Sequence, residues 1–307
     1  MAEARGVQLA RKPKGARWSG RLADRLAPYL FISPFLVAFV GLFLGPALYA
    51  LVVSFFKYKG YGTLEWVGLS NYSVTLQYGV FWQEMLNVAF YWVAHTIPMM
   101  AIAFLLAVVV SSSLVKHKKV FKPVIYMPQL VAGVASALLF KNFFGTNYGI
   151  LNTMLGVPIP WLEDMNLARW AVVIMLVWRS VGYWFVIYLA GLTSISEEVM
   201  DAATVDGVSA WQRLTRITVP LMRNSFLFSF VIDAVVTLRM YAEPNILGGK
   251  AGAVCPVGMA PVLNTLVLNM QAGRFGQAAA VGWLIFLFVA VVSFVQYRVL
   301  GGRRREG

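Results

Sequence analysis

The chain has 307 residues, 59% of them hydrophobic and 13% charged, with a formal net charge of +13. Soluble domains carry about a quarter charged residues, so this composition, with a mean hydropathy of +0.69, excludes an ordinary soluble protein and reads as a polytopic membrane protein. A single cysteine, Cys255, excludes an internal disulfide, and the two histidines, His95 and His117, give a zinc site little to build on.

In chain order, residues 1–28 form a basic segment that ends in front of the first apolar run. That run is too long for a signal peptide and lacks a small-residue cleavage site, so it reads as a retained anchor. Six apolar runs approach the roughly 20 residues that a membrane-crossing helix needs. They cover about 30–56, 86–113, 121–144, 168–192, 225–247 and 278–299. The third is interrupted by Pro128 and Gly133 and carries Lys141 near its end. The sequence therefore divides into the segment 1–28, a six-helix domain over 29–300 and a basic tail over 301–307.

Eighteen of the 26 Lys and Arg residues fall in the two termini and in the connections around 114–122 and 213–223. Cytoplasmic loops carry such an excess, which puts both termini and those connections in the cytoplasm. The same placement makes the basic residues orientation signals beside lipid headgroups, not a nucleic-acid surface. On the opposite side the connections are richer in Gly, Pro, Asn and aromatic residues. Examples are "KYKGYGTLEWVGLSNYSVTLQYGVFWQ", "FGTNYGILNTMLGVPIPWLEDMN" and "LGGKAGAVCPVG". No phosphate-binding loop, HExxH or nucleophile elbow occurs, so ATP-driven work would need a separate ATPase.

One polar stretch stands out, "EEVMDAATVDGVSAWQRLTRITVPL" (Glu197–Leu221). Ser194 or Ser196 can cap a first helix whose first turn carries Glu197 and Glu198 at the favourable end of the helix dipole. Val199, Ala202 and Ala203 present a small-residue face, and Gly207 sits where a left-handed residue ends a helix. Ser209 and Gln212 have capping-box spacing, and Trp211, Leu214, Val208 and Ile217 make an apolar stripe. Pro220 is expected to end the second helix at Val219. Acidic residues including Asp201 and Asp206 disfavour anionic lipid, so the pattern reads as a hairpin that docks into a protein groove.

"DAATVDGVSAWQRLTRITVP" resembles the EAA motif of the permeases of binding-protein-dependent ABC importers. The match runs through Asp201, Ala202, Ala203, Asp206, Gly207, Ile217 and Pro220. "WVGLSNY" (Trp66–Tyr72) and the stretch 120–155 are similar to segments of the carbohydrate-uptake branch of that family. The resemblance spans about 30–300 and implies an all-α, MetI-like permease fold with six transmembrane helices in the bacterial inner membrane. It also implies that residues 196–220 form the coupling hairpin, with Glu197, Glu198, Asp201, Ala202, Ala203, Asp206, Gly207, Trp211, Leu214, Ile217 and Pro220 at the ATPase contact. The implied partners are two ATPase subunits that hold ATP and Mg, a second and different permease, and an extracytoplasmic binding protein; this chain itself holds no cofactor. The family usually has Glu where Asp201 stands, one methylene longer, and Glu197 or Glu198 can share that contact. It also usually has an aromatic residue where Leu214 stands.

Within the apolar runs lie Arg179, Asp233, Arg239 and Glu243, and such charges face a bundle interior or a watery cavity. Arg239 and Glu243 are spaced to pair on one helix face. Arg179 and Asp233 lie at depths that differ by about five residues, roughly 8 Å, which an arginine spans, so an interhelical bridge between them is expected on structural grounds. A solute path is the alternative. Trp178, Arg179, Tyr183 and Trp184, with Asp233, Tyr241, Glu243 and Asn245, combine aromatic faces and planar polar groups suited to sugar hydroxyls. Importers of glycerol phosphate, amino acids or peptides, and an ion-coupled secondary transporter, are the competing readings.

Overall fold

The computed structural model describes residues 20–112, 115–249 and 255–301. The Lys and Arg residues of segment 1–17, Lys250 and Arg303–Arg305 lie outside the described residues. Contacts divide the chain into two units, Met1–Val52 and Val53–Gly307.

In the first unit α1 (Gly20–Phe39) passes through a π-helical turn, Val40–Leu44, into α2 (Gly45–Val53). Residues 28–53 make a candidate span of 26 residues. Its large apolar side chains, such as Phe31, Val37 and Leu42, face outward, as lipid contact requires. Phe35, Phe39 and Phe43 stack along one face with centroids 5.9 and 5.4 Å apart.

The second unit begins with a short antiparallel hairpin of β1 (Phe56–Lys57) and β2 (Glu65–Trp66). Helix α3 (Ser70–Gln77) follows, and Asn71 in "WVGLSNY" ties the turn together by donating to the Ser54 and Phe56 carbonyls at 2.8 and 3.0 Å. The centre of the unit is α4 (Gly79–Ser111) packed along α8 (Met165–Thr193). Both are candidate spans, as is Phe275–Gln296 within α15 (Phe275–Gly301). Asp164 caps α8 by accepting from the Asn166 and Leu167 amides.

The third apolar run is a broken element. Helix α5 (Lys118–Tyr126), a 3-10 turn (Met127–Leu130) and α6 (Gly133–Phe143) bend by 92° where Pro128 withholds an amide and Gly133 restarts the helix. The short helix α7 (Ile150–Leu155) leads from there toward α8. At the α5–α8 crossing a Cβ on Gly182 would stand 2.3 Å from the Ile125 carbonyl oxygen and 2.8 Å from the Tyr126 Cα. Only a glycine allows two backbones this close, and small residues at helix crossings are the main device of membrane packing. Gly182→Val is expected to force the crossing apart and lower the heat stability of the detergent-solubilised protein by about 2 kcal/mol or more. Gly41→Val, where no atom lies within 4 Å, is the matched control.

The polar stretch folds as α9 (Glu197–Val205), then α10 (Ala210–Gln212), a π-helical segment Arg213–Thr218 and α11 (Val219–Leu221). Pro220 does not end the second helix at Val219, as its sequence position predicts. Val219 is helical (φ −60°, ψ −46°), and the helix runs on to Leu221 before a 59° bend at Met222. The wide π turn just before Pro220 relieves the clash that a proline ring makes with the preceding turn.

After the bend come α12 (Arg223–Leu238), α13 (Ala242–Gly248) and, beyond residue 254, α14 (Leu263–Gln271). The fifth apolar run is therefore interrupted at Arg239–Tyr241. Arg239 and Glu243 fall on opposite sides of that break, so they do not share one helix face. Among the described residues four helices are long and apolar enough to cross a membrane, or up to six if each bent pair is one span.

Candidate functional site

The hairpin is set by its caps. Ser196, not Ser194, starts α9, accepting from the Glu198 amide at 3.2 Å, while Ser194 closes α8. Gly207 is left-handed (φ 68°). Ser209 and Gln212 bond reciprocally, Gln212 amide to Ser209 Oγ at 3.3 Å and Ser209 amide to Gln212 Oε1 at 3.1 Å. Of the eleven motif residues, only Ala203 is buried. Leu214 and Ile217 are half-buried, and Leu214 packs against a cluster of Met99, Phe104, Tyr188 and Met222. Glu197, Glu198, Asp201, Ala202, Asp206, Gly207 and Pro220 are exposed. Trp211 is 71% exposed and Val205, the last residue of α9, 87%. The stripe thus splits into a half that anchors the hairpin and a half that faces outward.

Within the bundle the charged groups pair differently from the sequence expectation. Arg179 does not meet Asp233; its Nη1 lies 3.3 Å from Glu243 Oε1. The break before α13 swings Glu243 toward α8, and Gly133 leaves the room: a Cβ there would lie 2.6 Å from Arg179 Nη1 and 2.7 Å from Glu243 Oε1. Asp233 turns instead to α4. It accepts from Thr96 Oγ1 and faces His95 Nε2 at 3.3 Å, all three nearly fully buried. Both pairs border one cavity of 310 Å³ with Ser180, Thr237 and Arg239.

The other proposed path residues, Trp178, Tyr183, Trp184, Tyr241 and Asn245, do not line this cavity. Trp178 packs on Phe140 in the core. Trp184 is buried among Tyr183, Tyr188 and Phe228. Asn245 donates to the Tyr241 carbonyl and accepts from the Cys255 amide, holding the break in place. Sequence reading missed the α4 contribution. Glu84, Asn87, Tyr91 and His95 recur at spacings of three and four, a polar stripe on one face of an otherwise apolar helix. Asn87 donates to the Val257 and Ala260 carbonyls at 2.7 and 2.9 Å, and Tyr91 to the Met259 carbonyl at 2.9 Å.

The family described as the binding-protein-dependent transport system inner membrane component matches residues 72–306. This chain belongs to that family. As a permease it is a transport component and not an enzyme. It is 30% identical over 278 residues to the lactose transport system permease protein of Rhizobium radiobacter, covering 88% of this chain and 92% of that protein. To the arabinooligosaccharides transport system permease protein of Bacillus subtilis it is 26% identical over 304 residues, 96% of each. Among solved structures it is similar to a chain of a bacterial ABC transporter involved in the import of the acidic polysaccharide alginate. The TM-score is 0.75 at 19% identity, covering 93% of this permease and all of that chain. The permease therefore has the MetI-like fold.

Proposed function

We propose that this permease is half of the membrane channel of an ATP-driven importer for a saccharide. In this reading it crosses the bacterial inner membrane six times over 29–300, counting each bent pair as one span, with segment 1–28 and tail 301–307 in the cytoplasm. The hairpin 196–220 seats in an ATPase subunit, two of which bind ATP and Mg. A second, different permease completes the pathway, and an extracytoplasmic binding protein delivers the solute. ATP-driven closure of the ATPases turns the pathway outward, and release of the hydrolysis products resets it. The observation that carries the coupling role is the doubly capped hairpin whose Val205 and Trp211 stand 87% and 71% exposed. Large apolar side chains held outward on a rigid, acidic scaffold favour a protein groove. The saccharide assignment draws on relatives named for lactose and arabinooligosaccharides.

Gentle extraction of the tagged permease should bring down an ATPase and a second permease, and the ATPase should be stimulated by binding protein loaded with lactose or an arabinooligosaccharide. A complex without an ATPase subunit would defeat the coupling role. Stimulation by an amino acid or peptide, and by no sugar, would defeat the saccharide assignment alone.

A further inference from the structure

We propose that the end of the permease opposite the hairpin holds a saccharide-binding pocket, between α4 and α14, that the solute meets before the cavity beside His95. The proposal rests on the saccharide reading. Helix α4 has 33 residues, about 50 Å at 1.5 Å per residue. Its last turns, Val108 and Ser111, border an apolar groove with Trp211 and Leu214 of the hairpin. Its second turn, Glu84, borders a different cavity of 610 Å³ with Asn264, Asn269, Arg274 and Gln277. That volume suits a small-molecule site.

The polar groups of this cavity are partly committed and partly free. Glu84 is wholly buried and accepts from Asn264 Nδ2 at 3.3 Å, the Thr265 amide at 3.1 Å and Thr265 Oγ1 at 2.5 Å. Because the Asn264 amino group is spent on Glu84, its carboxamide orientation is fixed. Asn264 Oδ1 is left buried with no hydrogen-bond partner among the described residues. Buried acceptors without partners are rare and costly. Asn269 likewise uses its amino group, on the Thr265 carbonyl at 2.8 Å. The Asn264 oxygen is sealed in the wall, so the Asn269 amide oxygen is the acceptor open to the cavity, while the Arg274 and Gln277 side chains make no hydrogen bond or ion pair among the described residues and remain available as donors. A sugar hydroxyl both donates and accepts, so this mixture matches it, and Val257 and Leu268 supply an apolar wall for ring C–H groups.

A second cavity of 530 Å³, bordered by Tyr58, Tyr61 and Lys59, shares Arg274 and Gln277 with the first. Two abutting cavities with aromatic side chains in both, Tyr78 in the first and Tyr58 and Tyr61 in the second, favour an oligosaccharide over a single ring. A metal cation does not fit as well, because no group of three His, Cys, Asp or Glu side chains stands together among the described residues.

The assembled complex without binding protein tests the pocket. Cys255 is the only cysteine of the chain and is buried. Burial pushes its thiol up to about 12, so at neutral pH the unmodified permease should label slowly. In a Cys255→Ser background, Ala272→Cys gives one reporter at the cavity wall, labelled with a membrane-impermeant maleimide and read on this chain. Lactose or maltotriose at ten times its dissociation constant should slow labelling about tenfold, in proportion to the unoccupied fraction, while glycine should not. Adding Gln277→Leu to Ala272→Cys should abolish protection without changing the rate in buffer. Unchanged labelling in both sugars, equal slowing by glycine, or protection that survives Gln277→Leu would each overturn the pocket. Wild-type uptake in proteoliposomes is read separately. Uptake of either sugar without protection sinks the pocket alone; protection without uptake keeps the pocket and sinks the importer reading.

Discussion

Trp211→Ala is expected to weaken retention of the ATPase by the permease by about 2 kcal/mol or more, roughly 30-fold, because exposed tryptophans that fill a partner's pocket dominate interface energetics. The loss should occur without unfolding the hairpin. Trp211 is 71% exposed, and the Ser209–Gln212 capping box beside it does not use the indole. Uptake and sugar-stimulated ATPase activity should fall together, while insertion and heat stability of the isolated permease stay unchanged. Asp201→Lys provides the contrast. An exposed rim charge contributes about 1 kcal/mol or less, so its reversal should uncouple hydrolysis from uptake in a salt-dependent way while leaving much of the assembly intact. Full uptake by both variants would remove the coupling role. Leu214→Ala belongs to another category, because Leu214 packs against the Met99–Phe104–Tyr188–Met222 cluster and its loss should show first in stability.

The difference between Trp211 and Leu214 marks how far the sequence could be read. Their helical spacing put both on one stripe, and the Ser, Gly and Gln signals around them correctly gave two capped helices about Gly207. Local chemistry decides such features, since caps and a left-handed glycine act within a few residues. Which half of the stripe is anchored depends on distant residues of α4 and α8, and periodicity contains no information on them. Pro220 was misread for a related reason: a π turn absorbed the ring, and π turns have no clear composition signature. The charged pairs were legible as charges needing partners. The sequence depth count could not foresee that the chain breaks at Arg239–Tyr241 and carries Glu243 to Arg179. A signal for the partner of Asp233 did exist, in the Glu84–Asn87–Tyr91–His95 stripe.

That stripe makes Asp233 the second position where a large effect is expected. Asp233→Ala would leave Thr96 Oγ1 without its acceptor and His95 Nε2 without its facing carboxylate. An interhelical hydrogen bond in a membrane contributes about 1–2 kcal/mol or less, whereas removing one member of a buried charged pair costs about 3–5 kcal/mol. Two polar groups stranded together should fall near the lower end of the second range, about 3 kcal/mol. This should appear as a lower melting temperature of the purified complex and faster proteolysis between α4 and α12. Asp233→Asn keeps an oxygen for Thr96 and should lose less than half as much. Glu243→Gln, at a pair that is 24% and 13% exposed and faces the same cavity, keeps an oxygen acceptor for Arg179 and should cost less than Asp233→Ala. The three variants separate structure from transport. If the cavity lies on the solute path, Glu243→Gln and Asp233→Asn should slow uptake by more than their stability loss explains. If uptake in all three merely follows the amount of folded complex, the His95–Asp233 and Arg179–Glu243 pairs hold the bundle together and the solute passes elsewhere.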